Sequence, residues 1–120
     1  MAILSIQSSV IFGYVGNSIA APVLQTLGHD VWRIDTVNFS NHPGYGNFTG
    51  SVKGPKQLNN EIKGICDLGI LPDCEAILSG YLGEVDTATS LLETINLVKK
   101  QNKAVLYILD PVIGDDDQIY

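Results

Sequence analysis

The sequence predicts an α/β fold with a mainly parallel sheet, right-handed crossovers and helices on its faces. Two patterns carry that reading. Four short apolar runs suited to buried strands alternate with three segments of helical periodicity, and polar or glycine-rich residues follow each apolar run.

The first run, 2–7, empties into Ser8, Ser9 and a turn punctuated by Gly13 and Gly16. A helix is expected over 17–27, with Ile19, Ala20, Val23, Leu24 and Leu27 on one face and Gly28 placed to stop it. The second run is 31–37. Residues 38–54 then read as a long polar loop, rich in Gly and Asn and carrying His42, Pro43, Tyr45 and Phe48. Loops of that length are usually functional. Pro55 suits the first turn of a helix reaching about Leu68, with Leu58, Ile62 and Ile65 inward. After the third run, 76–82, a helix over 84–100 has acids in its first turn and Lys99 and Lys100 in its last, matching the macrodipole, with Leu91, Leu92, Ile95 and Val98 inward. The fourth run is 104–112.

A chain of 120 residues with 45% hydrophobic content suits one compact domain with one core. Its apolar runs are too short to cross a bilayer and no basic, apolar leader opens it, so no membrane partner and a cytoplasmic location are expected. Cys66 and Cys74 lack Cys-x-x-Cys spacing and read as reduced structural thiols. The net charge is −6, from thirteen acids against seven bases, and no basic stripe suits nucleic acid. A nucleotide ligand would therefore need Mg²⁺, helix N-termini or backbone amides to offset that acidity.

In open α/β sheets ligands bind beyond the carboxyl ends of the strands. Those ends carry Ser8 and Ser9, then Asn38, Ser40, Asn41 and His42, then Ser79, Gly80 and Tyr81, then Asp110 and Asp115. Asp110-Pro-Val-Ile-Gly-Asp115 suits either a cation and phosphate neighbourhood or a capped turn, and spacing alone leaves both open. Asp116 and Asp117 read as a solvated acidic loop. His42 has the side chain of a proton carrier, but with no acidic or nucleophilic partner nearby in sequence it reads as a hydrogen-bonding or stacking residue. Tyr81 suits stacking on an aromatic ligand with a wet hydroxyl, or a plain place on the rim. Ser8, His42 and an aspartate supply the residue types of a hydrolase triad, yet no Gly-x-Ser-x-Gly elbow frames Ser8. The 13–16 turn is neither a Walker A loop nor a Rossmann fingerprint.

Four segments, in order, resemble pyridoxal kinases, the vitamin B6 kinases of the ribokinase-like superfamily. They are Ser-Ile-Gln-Ser8 with Gly13-Tyr-Val-Gly-Asn17, Val37-Asn-Phe-Ser-Asn-His42, Ser79-Gly-Tyr81, and Asp110-Pro-Val-Ile-Gly-Asp115. The resemblance implies a ribokinase-like fold and ATP-dependent phosphorylation of the 5′-hydroxymethyl group of pyridoxal and its amine and alcohol relatives. It implies Mg²⁺ and a monovalent ion such as K⁺, and a homodimer at full length. By resemblance, Ser8 would bond the pyridine ring, His42, Pro43, Gly44 and Tyr81 would enclose it, Asp110 would sit near the ATP phosphates, and Asp115 would lie by the cations. Many relatives have threonine where this chain has Pro43, so ring contact there must come from shape or from Gly44.

Family members run to more than twice this length. Their Gly-x-Gly-Asp segment, with the catalytic base and anion hole, is expected beyond Tyr120. No catalytic residue is therefore assigned within 1–120, which is expected to be the N-terminal part of a single kinase domain. A non-catalytic pyridoxal-binding or oligomerising module is the first alternative. A kinase for a related heterocycle such as hydroxymethylpyrimidine is the second.

Overall fold

The computed structural model describes residues 2–115 and 117–119, so Asp116 lies outside the described residues. The chain runs β1 (Ala2–Phe12), α1 (Asn17–Thr26), β2 (Asp30–Asn41), β3 (Gly50–Val52), α2 (Pro55–Asp67), β4 (Cys74–Ser79), α3 (Asp86–Gln101) and β5 (Leu106–Leu109). A short hairpin follows, β6 (Gly114–Asp115) with β7 (Gln118–Ile119). The main sheet has the order β3-β2-β1-β4-β5, parallel throughout except for β3, which pairs antiparallel with β2.

Alternate residues of β1 face opposite sides of the sheet, and the two sides differ in chemistry. Leu4 and Ile6 join Ile34, Leu58, Ile62, Ile77, Leu91, Ile95 and Val98 in an apolar core between the sheet and the helices α2 and α3. Ser5, Gln7 and Ser9 point the other way and are also buried; Asn17 and Ser18 of α1 bond Ser5 and Ser9, and Gln7 bonds Ser5. The mostly parallel sheet with helices on both faces is thus the expected arrangement.

Several details depart from expectation, each for a packing reason. In α1 the buried residues are Asn17 and Ala21, while Ile19, Val23 and Leu27 are exposed. The helix lies on a polar stripe of sheet, and a small alanine and a hydrogen-bonding asparagine allow close approach there. In α3, Leu92 is 61% exposed, since neighbouring residues lie about 100° apart on a helix and Leu91 already faces the core. Thr87, Ser90 and Thr94 fill the rest of that buried face.

The segment 38–54 is not one loop. β2 continues to Asn41, Pro43–Tyr45 forms a 3-10 turn, and β3 returns along β2 with Val37 opposite Val52. Conversely, β4 stops at Ser79 and β5 spans only Leu106–Leu109 of the longer apolar runs. Cys66 and Cys74 are both free thiols. Burial raises the pKa of the Cys74 thiol, which disfavours its reactive thiolate.

Leu58 is fully buried at the centre of the core, so Leu58→Ala should lower unfolding free energy by about 2–5 kcal/mol. Leu92→Ala should change it by no more than about 0.5 kcal/mol. Urea titration of both variants checks the assignment of the α3 face, and equal losses would show that the helix is rotated from the arrangement described.

Candidate functional site

The strands do not end at one level, and that difference shapes the candidate site. β4 makes its last pairing at Ser79 opposite Ile6, and the Gly80 amide donates to the Ile6 carbonyl at 3.0 Å. β1 and β2 remain paired as far as Phe12 opposite Asn41. A ribbon of β1 and β2, edged by β3, therefore projects past the end of β4, and Ser8 occupies the rung after Gln7 and Asp35 rather than following the strand. The register shifts at that rung, so that Thr36 and Val37 of β2 together stand opposite Ser8.

Gly16 fixes the other side of Ser8. Its φ is +53°, and a Cβ there would collide with the Ser8 carbonyl oxygen and hydroxyl. Only glycine permits both the conformation and the approach. The turn 13–16 is thereby pressed against the residue that the sequence singles out.

Tyr81 lies two residues past β4. Its carbonyl accepts a 2.5 Å hydrogen bond from the Thr36 hydroxyl, which draws the segment across towards β2. Thr36 is held in turn, because its carbonyl accepts from the Lys53 amide at 2.8 Å. Asp110 follows β5 directly, and its amide donates to the Ser79 carbonyl at 2.8 Å. The Ser79 hydroxyl meets the Tyr107 hydroxyl at 2.8 Å, which ties the ends of β4 and β5 together a second time.

The partner that sequence proximity did not offer to His42 comes from the β6–β7 hairpin, where Asp115 Oδ2 lies 3.9 Å from His42 Nε2. His42 Nδ1 accepts the Gly44 amide at 2.9 Å, which leaves the ring proton of the neutral form on Nε2, towards Asp115. The same bond occupies the Gly44 amide, so contact from this loop to a ligand falls to shape. Pro43 sits in the first turn of the 3-10 segment, where its lack of an amide proton costs nothing.

Among the described residues no group of three or more His, Cys, Asp or Glu could hold a metal ion alone. Asp115 is half-exposed, and Asp117 is exposed with a left-handed φ of 61°. Mg²⁺ takes one or two carboxylates and completes its shell with phosphate oxygens and water, so a single carboxylate such as Asp115 would suffice from this chain. A hollow of about 260 Å³ lies against the projecting ribbon, bounded by Ser9, Asn38 and Ser40. The larger hollow, about 340 Å³ between Ile62 and Cys66 of α2 and Leu97 of α3, is lined by none of the strand-end residues described above.

Sequence reading missed Thr36 and the buried role of Asn17. Thr36 looks like any β-branched strand residue, and only the register shift reveals its reach. Asn17 was visible as part of the Gly-Tyr-Val-Gly-Asn turn, but nothing local marks it as buried.

Gly16→Ala should destabilise the protein by on the order of 3 kcal/mol or more, from a left-handed φ combined with a backbone clash. Gly28 has φ +93° with open space around it, so Gly28→Ala should lose only about 1–2 kcal/mol. Comparing the two denaturation midpoints separates strain from collision, and equal losses would mean that the Ser8 contact is not tight.

No family model matches the chain. The pyridoxal kinase PdxY of Granulibacter bethesdensis is 50% identical over 115 residues, 96% of this chain and 40% of the relative. The PdxY of Actinobacillus pleuropneumoniae serotype 5b is 44% identical over 116 residues, 97% of this chain and 41% of the relative. The chain thus spans about two-fifths of the length of the curated relatives it matches. The structure of pyridoxal kinase from Leishmania donovani, in complex with ADP and pyridoxamine, superposes with a TM-score of 0.94 at 34% identity, covering 99% of this chain and 43% of that one. In sequence and in its ribokinase-like fold, the chain is similar to an N-terminal portion of the pyridoxal kinases.

Proposed function

We propose that this chain is the N-terminal part of a kinase that transfers a phosphoryl group from ATP to the 5′-hydroxymethyl group of pyridoxal, and of pyridoxine and pyridoxamine. The observation that carries the proposal is the 50% identity to a pyridoxal kinase over 115 residues, which include every residue assigned to the strand-end site. Solved relatives from Leishmania donovani hold ADP with pyridoxamine or with pyridoxine, and this supports both the nucleotide and the vitamer class.

In this reading Ser8 bonds the pyridine ring, while His42, Pro43, Gly44 and Tyr81 enclose it. Asp110 stands by the nucleotide phosphates, and Asp115 helps to hold Mg²⁺, with K⁺ nearby. Mg²⁺ supplies charge neutralisation on the phosphates, which a chain of net charge −6 cannot supply from its seven basic side chains. The chain contributes position and enclosure, and the general base comes from beyond Tyr120. Homodimer formation and a cytoplasmic location belong to the same proposal. No helix among the described residues is long and apolar enough to cross a membrane.

The test is ADP release by the full-length protein with pyridoxal and Mg²⁺. Turnover of pyridoxal is expected to exceed that of hydroxymethylpyrimidine, and the reverse order overturns the substrate assignment. Ser8→Ala should raise KM for pyridoxal about 3- to 10-fold, the value of one hydrogen bond, with little change in metal dependence. Asp115→Ala should instead raise the Mg²⁺ and ATP requirement. Identical profiles for the two variants would end this division of roles.

A further inference from the structure

The amide of Asn17 lies at the N-terminus of α1 and is fully buried. Its Oδ1 accepts the Ser5 hydroxyl at 2.6 Å. Its Nδ2 donates to Asp35 Oδ1 at 2.9 Å and the Ile34 carbonyl at 3.0 Å, with the Ser5 carbonyl at 3.3 Å. One side chain thus joins β1, α1 and β2.

The network continues on both sides of Ser8. On the near side the Gln7 amide donates to Ser5 Oγ at 2.9 Å. On the far side Arg33, paired with Asp35 at 2.9 Å, donates to Ser9 Oγ at 3.0 Å, and Ser18 bonds both the amide and the carbonyl of Val10. Gly16, which precedes Asn17 in the chain, is the residue in contact with Ser8 itself. Every neighbour of Ser8 along β1 is therefore held by one connected set of hydrogen bonds, while none of those bonds engages the Ser8 hydroxyl.

We propose that Asn17 is a positioning residue for the Ser8 hydroxyl: its buried amide locks α1 against β1 and β2, so that Gly16 and the polar residues flanking Ser8 hold that hydroxyl at a fixed place. The proposal rests on the reading of Ser8 as the contact to the substrate ring. It assigns Asn17 to substrate affinity, with no part in the chemical step.

The experiment uses the full-length protein and three variants: Asn17→Asp, Asp35→Asn, and the two combined. Asn17→Asp sets a carboxylate against Asp35 and against the Ile34 and Ser5 carbonyls, where a donor met acceptors, and the combination relieves only the contact with residue 35. Asn17→Asp is expected to raise KM for pyridoxal about tenfold with kcat within about threefold, and to speed amide exchange in residues 13–18. The combined variant should recover part of the loss in KM and part of the slow exchange. KM unchanged in a folded Asn17→Asp variant overturns the proposal, as does a loss confined to kcat. A parent protein that does not phosphorylate pyridoxal overturns the kinase reading instead. Amide exchange at Ser8, Ser9 and residues 13–18 then decides the positioning claim alone: unchanged exchange in Asn17→Asp rejects it, and faster exchange upholds it.

Discussion

The buried amide of Asn17 is the constraint on which the rest of the arrangement depends. Once α1 lies on a stripe of sheet that presents Ser5, Gln7 and Ser9, each of those groups needs a partner, because a buried polar group left unpaired costs about 1–3 kcal/mol. Asn17 bonds Ser5, which also accepts from Gln7; Ser18 and Arg33 bond Ser9; and Asp35 holds Asn17 and Arg33. The helix must then turn its small and polar side to the sheet and leave Ile19, Val23 and Leu27 outside. The opposite side of the same sheet follows ordinary apolar packing with α2 and α3. A sheet with one polar and one apolar buried face is the result, and the polar face leads directly to Ser8.

Much of this was legible in the sequence. Apolar runs gave the four parallel strands, and the helix positions agreed to within a few residues, because those patterns report burial directly. The strand-end residues were legible for a topological reason, since parallel strands place their carboxyl ends along one edge. What was hidden depended on partners distant in sequence. The antiparallel return of β3 turns on the approach of Gly50 to Asn38, the exposure of Leu92 on the rotation of α3, and the pairing of His42 on a hairpin more than seventy residues later. Periodicity carries no record of such contacts.

The candidate site is uneven in the same way. The side proposed for the substrate is built from β1, β2 and the segment after β4, each fixed by hydrogen bonds to the next. The side proposed for the phosphates rests on Asp110 and on the small β6–β7 hairpin, which approaches the first side through His42 and Asp115. Beyond it, all four residues of β5 are exposed, an apolar edge of the kind that proteins normally cover. The residues proposed to enclose the ring are accordingly the better-organised half of the candidate site.

The most direct test of the account is to map pyridoxal on the full-length protein by amide chemical shifts. The account predicts that perturbations concentrate at Ser8 and Ser9, at His42 to Tyr45, and at Gly80 to Leu82, leaving the helices α2 and α3 unaffected. Perturbations centred on the hollow between Cys66 and Leu97, with Ser8 and Tyr81 unchanged, would contradict the placement of the site at the strand ends.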